Sequence, residues 1–203
     1  KPETDCHAGE YGAMSQLRML FGGNYGTPSV AVPPGFELRS YRPEDRAAYL
    51  KLRVDCGFAG LSLWTGRELE NYWKNIAIPG GLLVIEEAAS GRLAASAGAE
   101  FGSLAGIPGA LGWVMTHESF RGLGLGRAVC ATVMARLVEA GLPKMYLLTD
   151  DVRLPALAIY FKLGWRPWLF EEGMTERWNA IGARLGFDAS FLKKCAVTEH
   201  AVS

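Results

Sequence analysis

The stretch Arg121-Gly122-Leu123-Gly124-Leu125-Gly126-Arg127 decides the reading of this chain. An apolar, strand-like run, Leu111 to Thr116, leads into it. A helical run from Ala128 to Ala140 follows and stops at Gly141. Strand, glycine loop and helix together make a phosphate cradle. Glycine lets the backbone approach a ligand closely, and the free N–H groups of a helix's first turn favour an anion. Arg121 and Arg127 flank the loop and add attraction for phosphate. The spacing excludes two common alternatives. No lysine or hydroxyl residue follows Gly126, so the loop is not Gly-x-x-x-x-Gly-Lys-Ser/Thr. The third glycine comes too early for the dinucleotide fingerprint Gly-x-Gly-x-x-Gly. A tight glycine turn with no ligand is the plain alternative.

The pattern that fits is Arg/Gln-x-x-Gly-x-Gly/Ala, filled by Arg121, Gly124 and Gly126. A second segment, Tyr146 to Trp165, carries Asp150 or Asp151 at a strand end, then Ala156, Tyr160 and Leu163-Gly164-Trp165. Taken in this order, the two motifs resemble the GNAT family of acetyl-CoA-dependent N-acetyltransferases. The likeness runs from Phe36 to Phe170 and is strongest from Leu111 to Trp165. An aspartate stands where the family often has asparagine at the strand end, so no side-chain contact is carried over there. The resemblance implies an α/β fold, a GNAT-like three-layer domain with a central mixed, twisted sheet flanked by helices. It would occupy residues 36–203, with residues 1–35 as an N-terminal arm and a helix at the C-terminal end.

The resemblance also implies a chemistry. The cosubstrate is acetyl-CoA, its pyrophosphate held by the N–H groups of Gly122, Leu123, Gly124, Leu125, Gly126 and Arg127 with help from Arg121. Its pantetheine arm runs along the strand from Trp113 to Thr116, with Val114, Met115 and Thr116 as the binding residues. A backbone N–H near Val114 or Met115 faces the thioester carbonyl, a donor of the kind that stabilises an oxyanion. The acceptor is a primary amine of a small molecule or peptide. An alkylamine has a pKa of about 10.4, so a base must take its proton. Glu100, at its strand end, is the first candidate, and Glu86 and Glu87 are weaker ones. Each also reads as a solvated charge. His117 reads as a turn residue. Tyr160 matches the family's general acid and otherwise reads as a core tyrosine. Phe58, Trp64 and Trp73 are candidates for an acceptor pocket, since this segment lines the acceptor site in the family. Trp64, Tyr72 and Trp73 are equally core aromatics. A catalytically silent acyl-CoA-binding regulatory module shares the loop and would differ at Tyr160 and the base. A transferase for longer acyl chains is a third reading, permitted by the small residues of Gly102 to Ala110. The family often dimerises, which admits a homodimer.

Composition sets bounds. The chain has 203 residues, 49% of them hydrophobic, enough for a real core. Lysine plus arginine and aspartate plus glutamate number 21 each, so no overall charge draws the chain to nucleic acid or an anionic membrane. Cys6, Cys56, Cys130 and Cys195 are widely spaced and form no zinc pattern. No metal is expected, and reduced thiols in a cytoplasmic protein are. A catalytic cysteine would need His7, His117 or His200 beside it. No apolar run is long enough to span a membrane, and no signal peptide opens the sequence, which starts at Lys1.

Patterning orders the elements. Met14 to Phe21 reads as two turns of helix, with Leu17, Met19, Leu20 and Phe21 free to dock on a partner or over the active site. Strands are expected at 36–41, 82–87, 92–101, 111–116, 144–149 and 165–170. Helices are expected at 43–56, 63–78, 126–140, 153–163 and 176–185. In the first, Ala47, Leu50 and Val54 keep helical spacing. Pro155 fits only a first turn, which makes Asp150 or Asp151 the expected cap. Family members usually end in a strand pair, and only one such strand is evident here.

Overall fold

The structure, a computed structural model, describes residues 15–22, 26–58, 64–188 and 190–198. Met14, Cys6, His7 and His200 lie outside the described residues. The strands are β1 (Leu17–Phe21), β2 (Phe36–Ser40), β3 (Leu82–Glu87), β4 (Leu93–Phe101), β5 (Gly109–Thr116), β6 (Met145–Thr149), β7 (Arg166–Leu169) and β8 (Val197–Thr198). The helices are α1 (Arg46–Asp55), α2 (Gly66–Lys74), α3 (Leu125–Glu139), α4 (Leu154–Lys162), α5 (Met174–Arg184) and α6 (Phe191–Cys195). The strands form one open, mixed sheet of order β2-β3-β4-β5-β6-β1-β7-β8. Pairing is antiparallel except at β5–β6 and β7–β8. The expected α/β fold is therefore the observed one.

Helices cover both faces. The main core packs α3, α4 and α5 on one face, with Val129, Val133, Leu137, Leu157 and Trp178 against Leu83, Ile85 and Ala97. On the other face α1 and α2 bury Tyr49, Leu52 and Leu69 against Leu82, Val84 and Met115. β3 serves both, which is why Leu82 to Ile85 is uninterruptedly apolar.

Three expectations are corrected. Leu17–Phe21 is a strand, not a helix, and it lies inside the sheet. Leu17, Met19 and Phe21 enter the main core, while Leu20 packs on the opposite side with Ile107 and Trp168. Arg18 lies with its guanidinium 3.7 Å from the Phe170 ring centroid. β1 runs antiparallel to both β6 and β7, so the N-terminal segment supplies a strand beside β7. In α1 the buried face is Tyr49, Leu52 and Arg53, whereas Val54 is 57% exposed. The long bodies of Tyr49 and Arg53 bury more apolar area than Ala47 or Val54 would. Neither aspartate caps α4: Arg153 occupies the cap position without a side-chain bond. Asp150 Oδ2 instead accepts from Arg153 Nε at 2.9 Å, and Asp151 takes Arg177 Nε at 2.8 Å. The second pair ties α5 to the β6–α4 turn.

Candidate active site

β5 leads through a turn at Glu118–Phe120 into the glycine loop and α3. His117 is that turn's cap, its Nδ1 accepting from the Ser119 N–H at 3.1 Å, and its Nε2 lies 3.4 Å from Asp55. Gly122 and Gly124 have φ of +81° and +84°, a region open to glycine and costly for other residues. Gly124 is the N-terminal cap of α3, and no side chain caps the helix. Its first-turn N–H groups are thus left for an outside acceptor. Gly126 has a different reason for being glycine: a Cβ there would sit 2.9 Å from Thr116 Oγ1. The cradle therefore packs directly against the end of β5. Arg121 and Arg127 are exposed beside it. A Gly124→Glu variant combines a strained φ with a carboxylate at the anion seat. It is expected to abolish CoA binding in calorimetry, and CoA binding as tight as wild type would show that the loop does not hold phosphate.

β5 and β6 pair only at Gly109↔Met145 and Ala110↔Tyr146. Past Ala110 the two strands part, and β5 continues to Thr116 with no further strand pair on that side among the described residues. That leaves one backbone edge of Leu111 to Thr116 without a strand partner among the described residues, and this edge ends at the cradle, where Thr116 meets Gly126. On its other edge β5 carries a bulge. The register steps from Ser96↔Met115 to Gly98↔Gly112, so Trp113 and Val114 together face Ala97. Trp113 has φ of +46°.

Glu100 sits on β4 beside this bulge. Its carboxyl is buried and accepts from the Tyr72 hydroxyl of α2 at 2.8 Å. Both groups rest on glycines. A Cβ on Gly112 would come 1.7 Å from Glu100 Oε1, and one on Gly98 would come 1.9 Å from the Tyr72 oxygen. These two glycines are register partners across β4 and β5 and make room for the pair. Burial pushes the Glu100 carboxyl up to about 7, against a smaller opposite pull from the Tyr72 hydrogen bond. A carboxyl poised there is half ionised near neutral pH, which suits a general base. Glu86 is engaged elsewhere, accepting from Arg39 Nε at 3.1 Å in a cluster with Asp45. Glu87 accepts from the Ser90 hydroxyl in the β3–β4 turn.

From Tyr72 a chain of rings runs to the bulge. Trp64 lies 5.0 Å from Tyr72 and 4.9 Å from Trp113, and Phe58 lies 5.5 Å from Trp113. Of the three candidate pocket residues, Phe58 and Trp64 therefore meet over Trp113. Trp73 belongs to the same core cluster, where its ring packs on Tyr41 at 5.8 Å. Arg53, unnoticed in the sequence, places its guanidinium against this cluster and is 2% exposed. Tyr72 was seen only as a core candidate, although strand glycines such as Gly98 and Gly112 signal a close approach.

Tyr160 lies in the second turn of α4, 5% exposed, with its ring 6.3 Å from that of Trp165. Burial raises its pKa, the nearby Cys130 thiol adds to this, and Arg153 opposes it. The hydroxyl is thus held protonated. Cys130 is fully buried in α3, and Cys56 and Cys195 are free thiols. Among the described residues no group of three or more His, Cys, Asp or Glu could hold a metal ion. Among them, too, no helix is long and apolar enough to cross a membrane.

An open mixed sheet flanked by helices, with a glycine loop between a splayed strand and a helix, is the layout of an α/β acyltransferase. The chain belongs to the acetyltransferase (GNAT) family, whose sequence profile matches residues 47–165. A mycothiol acetyltransferase of Thermomonospora curvata is 31% identical over 146 residues, 68% of this chain and 46% of the relative. The chain thus spans about half the length of that relative. Among solved structures, a GCN5-related N-acetyltransferase from Sphaerobacter thermophilus aligns with a TM-score of 0.62 at 19% identity, over 74% of this chain and 47% of its own. An acetyltransferase from Trypanosoma brucei aligns with a TM-score of 0.50 at 25% identity, over 64% and 92% respectively.

Proposed function

We propose that the protein transfers an acetyl group from acetyl-CoA to a primary amine of a small molecule or peptide by direct attack. The observation that carries this reading is the buried Glu100 carboxyl, raised to about 7 and held by Tyr72 beside the β5 bulge. Acetyl-CoA supplies the activated acyl group when bound. The uncapped first turn of α3 and its left-handed glycines fit its pyrophosphate. The open edge of Leu111 to Thr116 fits an extended arm. Of the two candidates Val114 and Met115, it is the Val114 N–H that faces this edge as the donor to the carbonyl oxygen, Met115 being paired with Ser96 of β4. Glu100 takes a proton from the ammonium, directly or through water, so that the free amine attacks the thioester carbonyl. The C–N bond forms as the C–S bond breaks, and the Tyr160 hydroxyl hands a proton to the leaving CoA thiolate. Phe58 and Trp64 flank the acceptor side. The cytoplasmic location inferred from the cysteines remains part of this proposal.

The test is a thiol-release screen with acetyl-CoA against amines, amino acids, peptides and a mycothiol-type acceptor, the last because of the name of the relative at 31% identity. Acetyl-CoA-dependent thiol release with none of them would overturn the reading. Tyr160→Phe separates an enzyme from a silent binder. It keeps the ring against Trp165 and removes only the hydroxyl, so fold and CoA affinity should hold while turnover falls by roughly 10²-fold or more. Unchanged turnover, with chemistry rate-limiting, would make Tyr160 a core residue.

A further inference from the structure

Trp113 combines two facts that ordinarily exclude each other. It has a bulky side chain, and its φ is +46°, a region such residues rarely enter. It sits at the bulge where β5 gains a residue on β4, next to the peptide N–H groups of Val114 and Met115. Something must hold its backbone there.

The surrounding side chains show what does. The Arg53 guanidinium lies 4.0 Å from the Trp113 ring centroid and 3.7 Å from that of Trp64. Trp64 in turn packs edge-on against Trp113 at 63°, and Phe58 packs edge-on at 74°. Arg53 thus bridges two indoles, with Phe58 closing the cluster 5.5 Å away. A guanidinium is planar, stays charged when buried, and is drawn to ring faces. An apolar side chain of the same length would fill the space without fixing the ring's angle.

We propose that Arg53 is a positioning residue. By clamping the Trp113 indole it holds β5 in its left-handed bulge, and so sets the direction of the Val114 N–H at the open edge of β5, the Met115 N–H being on the side of its register partner Ser96. This rests on the proposed function for what the Val114 N–H does. The clamp itself rests only on the packing. Arg53 reaches the reaction through a backbone, so it is expected to act on turnover and not on cosubstrate affinity, because the phosphate cradle is built by other residues.

The experiment uses four variants of the full chain: Arg53→Met, Trp113→Gly, Trp113→Ala and the double variant Arg53→Met/Trp113→Gly. Arg53→Met should lower kcat by roughly 10- to 100-fold while KM for acetyl-CoA changes less than about 3-fold, a loss confined to the transition state. Glycine enters positive φ freely, so Trp113→Gly should retain more turnover than Trp113→Ala. In the double variant the Arg53 substitution should add less than about 2-fold to the loss, because a bulge that glycine adopts unaided needs no clamp. Amide hydrogen exchange gives a readout without turnover. Arg53→Met should speed exchange at Val114 and Met115 selectively, and far less so when residue 113 is glycine. Multiplicative losses in the double variant, or faster exchange spread evenly over the sheet, would reduce Arg53 to a core residue. If wild type turned over no amine, the proposed function would fall and the exchange data alone would decide the clamp. Should Arg53→Met not fold, Arg53→Lys, which keeps the charge and loses the planar fork, carries the same comparison.

Discussion

Met19→Asp is expected to leave no cooperatively folded protein at neutral pH. Met19 is 0% exposed in the main core, and it stands in the middle of β1, opposite Leu147 of β6 and Pro167 of β7. Truncating such a side chain costs about 2–5 kcal/mol. Adding a carboxylate with no partner costs several more. Together these reach the whole stability of a typical domain, about 5–15 kcal/mol. The topology makes the site harder to repair. β6 meets β5 at only two register pairs but meets β1 at five. β7 joins the rest of the sheet through β1 alone among the described strands. Losing β1 would therefore cut β7 and β8 off from the sheet and leave β6, which leads into α4 and Tyr160, held only by its two pairs with β5. A chain starting at Pro28 should fail likewise, while Met19→Ala should fold with a lowered midpoint. Circular dichroism melts distinguish these cases. A wild-type-like transition in Met19→Asp would mean that β1 is not part of the folded sheet.

The strand's role was hidden because its partners are remote. Leu17 to Phe21 is a short apolar run with a single arginine, and periodicity over five residues separates helix from strand poorly. Its identity comes from pairing with residues more than a hundred positions away, which no local pattern encodes. The helix, strand and glycine loop from Leu111 to Glu139 were legible for the opposite reason: each boundary is set by residues within it. The buried face of α1 was misread because Tyr49 and Arg53 count as polar on a hydropathy pattern yet bury most of their length. Pro155 was rightly assigned to a first turn, but the aspartates before it answer arginines instead of the helix. In the site, Glu100 stood out as a lone strand-end carboxylate. What makes it unusual is the space left by Gly98 and Gly112 and the hydroxyl brought in by Tyr72. Those are cross-strand and cross-helix relations.

Glu100→Gln should separate catalysis from stability in opposite directions. Glutamine keeps the shape and an oxygen that accepts from Tyr72, but it takes no proton. As the base proposed here, Glu100 should account for roughly 10²- to 10⁴-fold in turnover, with CoA affinity unchanged because the cradle is untouched. In wild type, kcat/KM should climb as pH rises through about 7, where the carboxyl ionises. The variant should lose that step, and its deficit should shrink toward pH 10, where an amine with pKa of about 10.4 begins to lose its proton unaided. Stability follows from the same shift. Folding raises this carboxyl from its ordinary 4.5 to about 7, so the folded chain binds the proton more tightly than the unfolded one. The contribution is neutral below about pH 4.5, grows unfavourable between about 4.5 and 7 where only the unfolded chain is ionised, and levels off above 7 at about 3 kcal/mol. Glu100→Gln removes that cost. Its unfolding midpoint in urea should exceed that of wild type at pH 8 and match it near pH 4. A pH-independent activity loss would remove Glu100 from proton transfer. A variant less stable than wild type at pH 8 would mean that the carboxylate is solvated or paired in the native state, and that its environment does not set it up as a base.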